Sequence, residues 1–279
     1  MKLIAEANQI IKPVSVTDGA GVKIKRSIGL NPDYFDPFLM LDEFGSENKD
    51  DYIAGFPPHP HRGIETVTYM LAGDFEHKDS LGSIGRMGAG DVQWMKTGSG
   101  IIHSEMPLMK EGKLHGFQLW INMPSNLKMT KPDYLYLDAK DINHYADSEK
   151  SVKVIAGKFE DINGTISNHN VDPVYFDVSL TKSNKFGFPL CPEKNSFVYL
   201  YDGEIKVGYR DNGRVWGSTL ITLSEGEALH VEAVEDAKFL VISGRPINEE
   251  IARGGPFVMN TREEILEAIE DYRNGTFIK

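Results

Sequence analysis

Over residues 12–243 the chain reads as short β-type runs cut by Gly, Asn, Asp and Pro, and this pattern narrows the folds open to it. Residues 66–71 run into Ala72-Gly73-Asp74, and residues 198–201 into Asp202-Gly203; residues 117–121 and 238–242 are similar runs of branched and aromatic side chains. Many short strands separated by turn-forming residues predict an all-β chain of antiparallel sandwiches or barrels. Helical spacing is confined to the end. There Thr261-Arg262-Glu263-Glu264 offers a capping box, in which the Thr hydroxyl takes the amide three residues on and the Glu reaches back. Ile265, Leu266, Ile269 and Tyr272 then recur at helical spacing before Asn274-Gly275, which predicts one amphipathic helix over residues 261–273.

The β pattern occurs twice. Gly73-Asp74 and Gly90-Asp91 punctuate strands in the first half, and Gly203-Glu204 and Gly226-Glu227 do so in the second. This echo predicts a duplicated β domain. The proline-marked, charged stretch of residues 124–147 is the natural connection. The expected division is an N-terminal domain over residues 1–133, a linker over 134–148 and a C-terminal domain with the helix over 149–279.

Composition bounds the function. With 30 Lys and Arg against 41 Asp and Glu, the formal net charge is −11. Binding to nucleic acid rests on cations that neutralise phosphates, so direct nucleic-acid binding is not expected. Cys191 is the single cysteine, which rules out an intramolecular disulfide and favours a reducing compartment. No run approaches the roughly 18 apolar residues of a membrane span. A cytoplasmic protein without a membrane partner is expected, and a monomer is the simplest arrangement.

Five of the eight histidines fall between positions 59 and 115. His59-Pro60-His61 and His103-Ser104-Glu105 each place two metal ligands at i and i+2, on one face of an extended strand. Two such strands side by side would aim three imidazoles and a carboxylate at a common point and leave coordination positions open. Pro58 and Pro60 stiffen the first segment, and their missing N–H groups confine it to an edge or a bulge. Glu65, four residues after His61, competes with Glu105 as the carboxylate. The imidazoles suit Zn, Cu, Fe or Ni, and Mn or Co also remain open for this single divalent ion. The second half carries only His230 and Glu232, so one metal site in the first half is expected. His115 is a candidate for orienting a ligand or lining the cavity. His77, His144 and His169 read as solvated, and Trp94, Phe117 and Trp120 as core.

These motifs resemble the pirin family of the cupin superfamily. The likeness runs through Asp36-Pro37-Phe38-Leu39-Met40-Leu41-Asp42-Glu43-Phe44, Gly55-Phe56-Pro57-Pro58-His59-Pro60-His61-Arg62-Gly63-Ile64-Glu65-Thr66-Val67 and Gly98-Ser99-Gly100-Ile101-Ile102-His103-Ser104-Glu105-Met106-Pro107. It continues in Gly90-Asp91-Val92-Gln93-Trp94-Met95, His115-Gly116-Phe117-Gln118-Leu119-Trp120 and Gly255-Pro256-Phe257-Val258-Met259-Asn260-Thr261. The resemblance implies a bicupin with one metal, usually Fe(II), in the N-terminal barrel, held by His59, His61, His103 and Glu105. It also implies one of two functions. The first is a quercetin 2,3-dioxygenase-like enzyme that opens a flavonol with O2, with Glu105 as the catalytic base. The alternative is a redox-sensing regulator that docks a transcription factor or metabolic enzyme. A third possibility is a metal that only braces the barrel.

Overall fold

Strands that are apolar on one face must find a second layer, and this chain builds such a two-layer unit twice. The computed structural model describes residues 3–29, 35–109, 111–167 and 169–279. The first strand, β1 (Ala7–Ile11), belongs to the later-built unit. The site-bearing unit comprises residues 14–139 and 247–279. Its strands are β2 (Val14–Asp18), β3 (Val22–Ile28), β4 (Phe38–Ser46), β5 (Phe56–His61), β6 (Ile64–Ala72), β7 (Phe75–Asp79), β8 (Ile84–Met87), β9 (Val92–Lys96), β10 (Ile101–Pro107), β11 (Leu114–Asn122) and β12 (Asp133–Leu137). One sheet has the order β12-β9-β6-β11-β4-β3-β2, and the other has the order β5-β10-β7-β8.

The second unit repeats this division into seven and four strands. Its larger sheet runs β1, Thr219–Leu223, Asn195–Asp202, Ala237–Gly244, Val174–Leu180, Lys150–Ala156 and His144–Ala146. Its smaller sheet runs Lys185–Pro189, Ala228–Ala233, Glu204–Val207 and Arg214–Trp216. The duplication read from the Gly-acid turns is therefore present. The interior of this unit is apolar, built on Phe176, Phe186, Val198, Val231 and Phe239.

The boundaries differ from those expected. Residues 134–148 are largely structured, not a free linker. Asp133–Leu137 pairs with β9, and His144–Ala146 pairs with Lys150–Ala156. The cause lies in the tyrosines: Tyr136 donates its hydroxyl to Asp91 (2.7 Å) and Tyr134 stacks on His77. The helix, α1 (Arg262–Asn274), groups with the site-bearing unit rather than with the C-terminal domain. Its Thr261–Glu264 capping box is formed, and Gly275 closes it in the left-handed conformation. The buried face is Ile265 and Ala268, while Leu266 and Tyr272 are exposed. No helix among the described residues is long and apolar enough to cross a membrane.

Two buried cations fasten the C-terminal segment to the end of β5. Arg62 donates Nε to the Ser99 carbonyl (2.6 Å), pairs with Asp271 of α1 (2.9 Å) and lies over the Phe277 ring. Lys128 donates to Gly63 O (2.7 Å), Asn122 Oδ1 (2.6 Å) and Val258 O (3.0 Å). Burial pushes its ammonium down to about 8. Gly63 has φ +80°, and a Cβ there would stand 2.1 Å from Val258 O, so only glycine lets the strands approach. Lys128→Met would leave three buried acceptors short of a donor. The expected loss is roughly 3 kcal/mol, read as a lower denaturant midpoint with an unchanged slope.

Candidate metal centre

β5 and β10 supply the first group of side chains. They pair antiparallel with His103 directly opposite His59 and Ile101 opposite His61, and the register shifts between His103 and Glu105. β5 is the edge of its sheet, as its two prolines require. The three imidazoles meet inside the barrel, with ring centroids 4.8 Å apart for His59–His61, 4.4 Å for His59–His103 and 5.1 Å for His61–His103. One ring nitrogen from each lies within 4.8 Å of the others.

Local partners orient these rings. His59 Nδ1 lies 2.8 Å from the Pro57 carbonyl, and His61 Nδ1 lies 3.2 Å from the Pro256 carbonyl. A carbonyl at Nδ1 selects the tautomer that keeps the Nε2 lone pair free. Burial, reinforced by the neighbouring His59, pushes His61 down to about 3. Burial and the other three imidazoles hold His103 well below the usual histidine range. The rings of His61 and His103 are therefore held toward the neutral form, the one that binds metal. Both nitrogens of His103 are buried without a hydrogen-bond partner. An orphaned imidazole among imidazoles makes poor structural sense and good sense as a ligand.

Glu105 is 1% exposed and held from the opposite sheet. Thr68 donates Oγ1 to its Oε1 (3.0 Å), and Gln118 donates Nε2 to its Oε2 (3.1 Å). Trp120 in turn donates its indole N–H to Gln118 Oε1 (3.2 Å), which fixes the amide with its nitrogen toward the carboxylate. Glu105 groups with His103 and with His77, the three ligand atoms again within 4.8 Å. Glu65 stands outside both groups. It lies one residue out of phase with Thr66 and Thr68 on β6, so it projects from the other face of the sheet, where its Oε2 accepts the Trp94 indole N–H at 2.6 Å.

Several residues behave differently from the sequence reading. His77, read as solvated, is fully buried on β7 opposite Glu105, with its Nε2 hydrogen-bonded to Asp79 Oδ2 (3.0 Å) on the same strand. Trp120, read as core, packs edge-on against His61 with centroids 5.0 Å apart and lines a cleft. His115 has its Nε2 3.0 Å from Glu43 Oε1 and stands outside both groups. His230 remains in the second unit beside Tyr209, and among the described residues both ligand groups lie in the first.

The cleft measures about 610 Å³, within the range of small-molecule sites. His59 and His61 line it together with Met40, Phe44, Phe56 and Trp120. A polar row crosses the sheet behind it in register: Gln93 opposite Thr68, Thr68 opposite Gln118, Gln118 opposite Asp42 and Asp42 opposite Arg26. Arg26 closes the row with a two-point bond to Asp42 (2.8 and 2.7 Å). The row takes one polar residue from each of the adjacent strands β9, β6, β11, β4 and β3.

The chain matches the Pirin family over residues 21–121 and the Pirin C-terminal cupin domain over residues 175–278. A pirin-like protein of Caulobacter vibrioides is 43% identical over 272 residues, covering 96% of this chain and 98% of that one. Pirin of Homo sapiens is 38% identical, covering 92% and 89%. A crystal structure of quercetin 2,3-dioxygenase from Acinetobacter baumannii has a TM-score of 0.90 at 34% identity, covering 99% of this chain and all of that one. Replacing Glu65 by Gln is expected to leave metal content unchanged, whereas Glu105→Gln lowers it. Elemental analysis of the two purified variants separates the rival carboxylates.

Proposed function

The chain belongs to the pirin family, and from that premise we propose that it is a metal-dependent dioxygenase of the quercetin 2,3-dioxygenase type. The observation that carries this reading is the apolar-walled cleft that reaches the rings of His59 and His61. A metal that only braced the barrel would need no such approach. The proposed ligands are His59, His61, His103 and Glu105, and the family resemblance favours Fe(II). The donor set fits: neutral nitrogens and one carboxylate suit a divalent transition metal. A metal bound there would supply Lewis acidity toward a flavonol hydroxyl and redox chemistry toward O2.

The protein's own residues perform the rest. Met40, Phe44, Phe56 and Trp120 offer flat, water-excluding walls to an aromatic substrate. Glu105 is the base that takes the flavonol 3-hydroxyl proton at a carboxylate oxygen. Thr68 and Gln118 keep that carboxylate from turning away, since each holds one oxygen. The Trp120–Gln118 bond links the substrate wall to the base, so substrate position and carboxylate position are set by one sheet face.

The test is oxygen uptake by metal-loaded protein on a panel of flavonols, with metal content measured in parallel. Wild type is expected to consume O2 with at least one flavonol, and His103→Ala to lose both metal and activity. A metal-replete wild type that leaves every flavonol intact would refute the enzyme reading. Trp120→Ala is expected to keep its metal and raise KM about tenfold, equivalent to ~1.4 kcal/mol of lost binding.

A further inference from the structure

His77 is the buried group that the proposed ligand set leaves unused. It lies on β7 directly opposite Glu105, is wholly buried, and its ring sits 5.4 Å from that of His103. Asp79, buried beside it, holds His77 Nε2 at 3.0 Å. A carboxylate on one ring nitrogen fixes the tautomer and raises the basicity of the other, which is how proteins hold histidines that bind metals. That other nitrogen, Nδ1, is buried and has no hydrogen-bond partner. His77, His103 and Glu105 bring three ligand atoms within 4.8 Å of one another, the same spacing as the His59–His61–His103 group.

We propose that the barrel contains an inner metal position, formed by His77, His103 and Glu105, in addition to the outer one at His59 and His61. The inference rests on the proposed ligand roles of His103 and Glu105. Both positions need His103, and a neutral imidazole has one free lone pair, so a single ion occupies one position at a time. Moving inward, the ion exchanges His59 and His61 for His77 and keeps the shared pair. His59 and His61 line the cleft, and His77, His103 and Glu105 do not. The inward move therefore replaces two cleft-lining ligands by one, His77, that does not line the cleft. Asp79 serves as its positioning residue.

Cobalt(II) titration of the full chain, followed by visible absorption and calorimetry, tests this. Wild type is expected to bind one equivalent. His59→Ala/His61→Ala is expected still to bind one equivalent, with Kd raised about a hundredfold, and the further change His77→Ala to abolish binding. A double variant that takes up no cobalt, or whose affinity is indifferent to His77, overturns the inference. If wild type itself binds no cobalt, the ligand assignment beneath it fails instead. Should the double variant not fold, as judged by circular dichroism, the single variants His59→Ala and His61→Ala, whose outer position has lost a ligand, are labelled with 15N-histidine and titrated with zinc. Movement of the His77 Nδ1 resonance toward the metal-bound range supports the inner position, and a resonance unchanged at one equivalent overturns it.

Discussion

The ladder between β5 and β10 is the constraint on which the candidate centre depends. It sets His103 opposite His59 and places Ile101 opposite His61, so the register of one strand pair decides whether three imidazoles converge. A slip of one residue would turn every ligand to the other face. β10 is also the shared strand of the smaller sheet, pairing with β5 on one side and β7 on the other. One strand thus presents His103 and Glu105 to two sets of neighbours.

The larger sheet answers with a polar row in an interior that would otherwise be apolar. Buried polar groups are tolerated when they are satisfied, and here Thr68 and Gln118 spend their donors on Glu105 while Asp42 engages Arg26. The second unit has the same strand order in its smaller sheet, and in its larger one apart from the edge strand β1, but fills its interior with Phe176, Phe186 and Phe239. The two halves show what one framework does with and without chemistry inside. Fold alone does not confer function, and the difference lies in the residues facing inward.

Much of this was legible in the sequence because it is local. The i, i+2 ligand pairs, the capping box at Thr261 and the Gly-acid turns all state their structure within a few residues. What was not legible depends on partners distant in the chain. His77 sits among charged residues and reads as solvent-facing, yet β10 and Tyr134 cover it. Trp120 reads as core because its neighbours Leu119 and Ile121 are, while the strand's alternation turns it to the cleft. Residues 134–148 read as a linker because they are rich in charge and follow Pro124 and Pro132, although β9 takes Asp133–Leu137 as its strand partner. The division into units was missed for the same reason: pairing of β1 with Thr219–Leu223 spans most of the chain.

That long-range division has a consequence for the order in which the protein can be made. The unit that carries His59, His61, His103 and Glu105 also needs residues 247–279, which leave the ribosome after the whole of the other unit. Pro256 supplies the carbonyl at His61 Nδ1, and Asp271 meets Arg62 beside it. Domains of a nascent chain commonly fold in order from the N-terminus. Here the first barrel to be synthesised waits until the whole of the second has been made, and its histidines acquire their final orientation only when residues 247–279 have followed.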